Sequence, residues 1–78
     1  MENKLLAFIN ERILSDKGVT VAPGDELLLD GYLDSMAIFS LVTFIEKSFS
    51  VSVPPQDITI ENFRSVQVIA EYLESRVV

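Results

Sequence analysis

A chain of 78 residues, 49% of them hydrophobic and none of them cysteine or histidine, is a single small domain over residues 1–78 with enough apolar material for a packed core and no disulfide or thiolate metal site. The absence of histidine removes the commonest general base and metal ligand. The remaining Lys, Tyr and carboxylates form no close pair in an evident pocket, so the chain is not expected to be an enzyme. Twelve acids against six bases, a net charge of −6, argue against nucleic acid, whose phosphates need clustered Lys and Arg, and suit basic protein partners better.

The first predicted element is an amphipathic helix over residues 2–15. Leu5, Ile9 and Ile13 fall four apart, Leu6 and Phe8 widen the stripe, and Lys4, Asn10, Glu11 and Arg12 are polar. Gly18 stops it. A long connection follows over residues 19–34, with a turn at Pro23-Gly24 and an apolar knot, Leu27-Leu28-Leu29, closed by Asp30-Gly31. A loop of this length is uncommon without a job. Here its leucines must pin it, and it must deliver Asp34-Ser35 to the next helix.

That helix is predicted over residues 35–49. Ile38, Leu41, Val42, Ile45 and Phe49 recur at spacings of three and four and make its core face. Met36, Ala37, Phe39, Ser40, Thr43 and Lys47 point outward. Val51-Ser52-Val53-Pro54-Pro55 alternates and then meets two prolines, and with no other strand signal it reads as an extended connector. Thr59 caps a very short third helix over residues 60–63. Ser65 caps the last one, with Val66, Ile69, Ala70 and Leu73 on its apolar face and Arg76 near its negative end. The sum is an all-α fold, a small four-helix bundle of three main helices and one short one, with a long loop between the first two. No apolar run is long enough to span a membrane, and Met1-Glu2-Asn3-Lys4 does not open a signal peptide. The expectation is a soluble, cytoplasmic monomer. The starting Met1 and the lack of flanking linkers favour a free-standing protein.

The most informative residues are Leu33-Asp34-Ser35-Met36. Asp34 is a good N-cap and Ser35 falls at the first helical position, where the helix dipole welcomes a phosphate group. In this setting the chain resembles the acyl and peptidyl carrier protein family over essentially its whole length. The resemblance rests on Leu27-Leu28-Leu29-Asp30-Gly31-Tyr32-Leu33-Asp34-Ser35-Met36, on the exit Phe49-Ser50-Val51-Ser52-Val53-Pro54, and on Ile58-Thr59-Ile60-Glu61-Asn62-Phe63-Arg64-Ser65-Val66. It implies that Ser35 is the attachment site of a 4'-phosphopantetheine arm derived from coenzyme A. A phosphopantetheinyl transferase, holding its own Mg²⁺, would install the arm, and Asp34 would help that enzyme recognise the site. Cargo would ride as a thioester from an acyl- or aminoacyl-loading enzyme to a downstream synthase or transferase.

One departure from the family separates the possible pathways. Carriers of fatty-acid synthesis resemble this chain less, because their second helix is studded with acids, whereas here it holds only Glu46 and Lys47 as charges. Met36, Phe39, Ser40 and Thr43 form a candidate partner-docking patch that is largely apolar and uncharged, with Phe39 alternatively folding back on the core or packing on the long loop. The acids gather ahead of the helix at Asp25, Glu26, Asp30 and Asp34, either as a solvated loop or to steer a basic partner. The leading expectation is a carrier of polyketide or nonribosomal peptide-type specialised metabolism. A D-alanyl carrier for cell-wall modification, a fatty-acid carrier and an arm-less interaction module with the same fold remain open.

Overall fold

Three α-helices, α1 (Glu2–Phe8), α2 (Ser35–Phe49) and α3 (Val66–Arg76), carry the core in the computed structural model, which describes residues 1–76. A π-helical segment, Ile9–Ile13, and a 3-10 turn, Ser15–Lys17, prolong α1, and a second 3-10 turn, Pro55–Asp57, precedes α3. No strand occurs among the described residues, and residues 51–54 are an extended connector as the prolines predicted. The all-helical architecture with a long loop between the first two helices is therefore the expected one.

The π segment changes the register of the first helix. The Leu14 N–H donates to the Ile9 carbonyl at 2.9 Å, five residues back. This wide turn inserts one residue into the 3.6-residue repeat. Leu14 is consequently fully buried with Leu5 and Ile9, and Ile13, which the four-residue spacing placed in the stripe, is only half-buried. Gly18 ends the run in the left-handed region at φ 69°, the conformation a glycine best tolerates.

Periodicity located α2 and α3 well. Leu41, Val42 and Ile45 of α2 are buried against Val66, Ile69, Ala70 and Leu73 of α3 and Leu5 and Ile9 of the first helix. Ala37 is a correction: it is half-buried against the core rather than outward. α1 packs along α3. It meets α2 through Phe8, whose ring stacks on Phe44 at 4.2 Å between centroids, with Phe44 edge-on to Phe49 at 6.2 Å. Those rings hold the two helices apart and leave a groove between them.

The short helix expected over residues 60–63 is a single hydrogen-bonded turn. Thr59 does cap it: its hydroxyl accepts from the Asn62 N–H at 3.2 Å and its carbonyl from the Phe63 N–H at 2.9 Å. The chain goes no further as helix because nucleating so few residues is unfavourable. Tertiary bonds also take the backbone elsewhere, the Arg64 carbonyl accepting from the Leu27 N–H at 2.8 Å. Phe63, fully buried, anchors the turn. Ser65 then caps α3, its hydroxyl accepting from the Val68 N–H at 3.2 Å.

The long loop is fastened at several points. The Asn10 amide brackets Val21, accepting from its N–H at 2.8 Å and donating to its carbonyl at 3.2 Å. The Gln67 N–H donates to the Pro23 carbonyl at 3.1 Å, and Arg64 pairs with Glu26 at 2.8 Å. Of the leucine knot, Leu27 is buried, Leu28 half-buried and Leu29 61% exposed, so one leucine does most of the pinning.

Candidate functional site

Asp34 enters α2 in an extended conformation, φ −100° and ψ −173°. Its Oδ1 accepts from the Ala37 N–H at 2.8 Å and its carbonyl from the Ile38 N–H at 2.9 Å. This is an N-cap of the kind worth about 1 kcal/mol. Leu33, buried just before it, fixes the direction of entry. Ser35 is the first residue of the fifteen-residue helix and is exposed. The N–H groups of Ser35 and Met36 precede the intrahelical ladder, and no acid stands in the first turn of α2. A phosphodiester on the Ser35 hydroxyl would sit at the positive end of α2, beside the Asp34 carboxylate, which already takes the Ala37 N–H, and with no further acid in the first turn. The residues present fit such a group.

Beside Ser35 lies an apolar groove of about 590 Å³. Leu28 and Leu33 of the loop form one part of it, Ile38 and Val42 of α2 its floor, and Ile58 and Ile60 its far wall. Ile58 and Ile60 are 37% and 52% exposed and lie together in this groove. The sequence places Ile60 at the start of a short helix and Ile58 just ahead of its Thr59 cap, and does not reveal that the two line one groove. The only available signal was a pair of β-branched residues in a segment too short to bury both.

The four residues of the expected docking patch do come together. Met36 is 77% and Phe39 75% exposed, so Phe39 does not fold back on the core. Ser40 and Thr43 are exposed as well, and the Thr43 hydroxyl donates to the Phe39 carbonyl at 3.0 Å. All four line a second groove, about 670 Å³, between α1 and α2. Phe39 separates the two grooves and lines both. Phe8, Phe44 and Arg12 complete the second groove. Their meeting is a tertiary event that no local pattern announces.

The loop acids are partly committed to structure. Asp25 accepts from the Ala22 N–H at 2.8 Å, Glu26 pairs with Arg64, and Asp34 caps α2. A further polar cluster is structural too. The Tyr72 hydroxyl donates to Asp57 at 2.6 Å, and Arg76 approaches the same carboxylate at 3.5 Å. Burial pushes the Tyr72 phenol up to about 12, helped by its bond to Asp57 and that carboxylate's charge, against a smaller opposite pull from Arg76. This cluster ties the Pro55–Asp57 turn to the last turns of α3.

No protein-family model matches the chain, and no curated protein matches it. A solved structure does: the crystal structure of Bradyrhizobium japonicum glycine:carrier protein ligase complexed with glycylated carrier protein. The alignment covers 90% of this chain and 89% of that chain, with 27% sequence identity and a TM-score of 0.66. The nearly equal shares mean that the matched chain has the length of this one, as a carrier and not a ligase would. The fold is carrier-protein-like. Among the described residues no helix is long and apolar enough to cross a membrane.

Proposed function

We propose that the chain is a carrier protein, bearing a 4'-phosphopantetheine arm on Ser35 and presenting a thioester-bound aminoacyl or acyl group to partner enzymes. The observation that carries this reading is the placement of Ser35. Its hydroxyl is exposed at the first position of a long helix, behind an Asp34 cap and beside an apolar groove. A phosphopantetheinyl transferase would join the Ser35 Oγ to the pantetheinyl phosphate of coenzyme A as the bond to the nucleotide phosphate breaks. The arm supplies a thiol to a chain that has none.

The chain's own residues position and present. The α2 N-terminus holds the phosphodiester, the groove walled by Ile58 and Ile60 offers the arm an apolar resting place, and the exposed face of α2 meets the partner. The cargo is confined near that face at high effective concentration, and partner enzymes supply the chemistry. Similarity to a carrier crystallised in glycylated form with its ligase supports an aminoacyl cargo and a ligase as the loading partner. The near absence of charge on the outer face of α2 supports a dedicated biosynthetic pathway over fatty-acid synthesis. The surroundings would be the cytoplasm, where coenzyme A and the transferase are found.

The test is intact-mass spectrometry after incubation with coenzyme A, Mg²⁺ and a broad-specificity phosphopantetheinyl transferase. One arm should be added to the wild type and none to Ser35→Ala, with both proteins giving the same circular dichroism spectrum. The holo-protein is then offered glycine and other amino acids with an amino acid:carrier protein ligase and ATP. An arm on the alanine variant, or on another serine, would overturn the assignment.

A further inference from the structure

The groove between α1 and α2 is opposite in charge to the molecule around it. The chain as a whole carries −6. Yet the groove is lined by two cations, Arg12 from the π segment and Lys47 from α2, and by no acid. Among the described residues the ion pairs involve Arg64 and Arg76, so Arg12 and Lys47 keep their charge for an incoming group. A shallower hollow along the outer side of α1 adds Lys4, with Glu11 as the one carboxylate beside it. Between the cations the lining is mainly aromatic and apolar, the stacked Phe8 and Phe44 with the exposed Met36 and Phe39 at the end nearest Ser35, interrupted by the hydroxyls of Ser40, Thr43 and Ser48.

The loop acids do not reverse this local sign. Lys47 lies thirteen residues beyond Asp34. At about 1.5 Å per residue that is roughly 20 Å along the helix. The Debye length at physiological salt is about 8 Å, so the far end of the groove is screened from the acids at the mouth of α2. Net charge attracts a basic partner from a distance, but contact chemistry in the groove has the reverse preference.

We propose that the α1–α2 groove is the docking site for a partner protein that inserts an apolar side chain between flanking carboxylates. The apolar residue would rest on Phe8 and Phe44, and the carboxylates would meet Arg12 and Lys47. The reading deepens the carrier proposal and rests on it for the identity of the partner as a loading enzyme. A second copy of the chain is disfavoured as occupant by the like net charge of the two molecules.

The experiment uses the chain without its arm, isotopically labelled for amide NMR, and two synthetic helical peptides. Both share one leucine- and phenylalanine-containing core, flanked by glutamates in one and by lysines in the other. The glutamate peptide should saturably shift the amides of Arg12, Ser40, Thr43 and Lys47, binding roughly tenfold more tightly than the lysine peptide, as two exposed charge pairs allow. The double variant Arg12→Glu, Lys47→Glu should invert that order with an unchanged melt, since both residues are exposed. No shift in the groove, equal binding, or a preference for the lysine peptide in the wild type overturns the proposal. So does binding of phosphatidylserine vesicles through these residues when neither peptide binds. Arm attachment at Ser35 is read separately by mass, so failure of the carrier reading and failure of this one give different results.

Discussion

Leu14→Ala and Ile13→Ala form a pair of substitutions whose order of severity tests the π turn. Leu14 is fully buried and Ile13 half-buried. Truncating a fully buried leucine costs about 2–5 kcal/mol, part of it from the cavity left behind. For 78 residues at roughly 0.05–0.15 kcal/mol each, the whole domain is stable by about 4–12 kcal/mol. Leu14→Ala should therefore remove a large share of the total. At roughly 4–8 °C per kcal/mol for a domain of this size, a loss of about 3 kcal/mol lowers the Tm by about 12–24 °C. Ile13→Ala loses only part of that transfer free energy and should cost about 1 kcal/mol. Both substitutions end in alanine in the same helical stretch, so propensity changes largely cancel. Thermal melts followed by circular dichroism, with urea titrations to obtain the free energies, decide the matter. A severe Ile13→Ala beside a mild Leu14→Ala would mean that the first helix keeps an α-helical register through Ile13. Arg12 would then be displaced from the α2 groove, and the charged docking surface would go with it.

Three further outcomes are expected. Asp34→Ala should lower stability by about 1 kcal/mol by removing the acceptor for the Ala37 N–H, whereas Asp34→Asn should keep most of it; if Asp34→Asn still slows arm attachment, the carboxylate serves the transferase as well as the helix. Phe39→Glu should leave the melt intact, because the ring is 75% exposed, and, on the proposed carrier reading, should weaken loading by an amino acid:carrier protein ligase by roughly tenfold or more; unimpaired loading would exclude this face from docking. In Tyr32→Phe, where Tyr72 is the remaining tyrosine, tyrosinate absorbance should titrate with a midpoint of about 12. The folded value lies above the ordinary value near 10, so the associated stability is complete below about pH 10 and is lost as the pH rises through about 12. A midpoint near 10 would show that Tyr72 has neither the burial nor the bond to Asp57 described above.

Much of this protein was legible because its signals are local. Asp34 as a cap depends on one side chain and the N–H three residues on, so the start of α2 and the position of Ser35 at its mouth could be read directly. Ile38, Leu41, Val42 and Ile45 likewise follow a 3.6-residue repeat that needs no partner to be recognised, and so do Val66, Ile69 and Leu73. Gly18 announced the left-handed stop it makes.

What the tertiary structure alone decided involves residues far apart in the chain. The Leu14 N–H reaches the Ile9 carbonyl across one extra residue, a turn that puts Leu14 in the buried core, and no spacing in the sequence displays that gain. The Arg64 carbonyl accepts from Leu27, and Asn10 brackets Val21, across separations no periodicity spans. The two grooves have the same origin. Ile58 and Ile60 line the groove beside Ser35 from more than twenty residues away, and Arg12 and Lys47 line another with the stacked Phe8 and Phe44. Local chemistry determined where a helix begins and which serine it exposes; long-range packing determined what surrounds that serine, because contact energies between distant segments leave no trace in the spacing of neighbours.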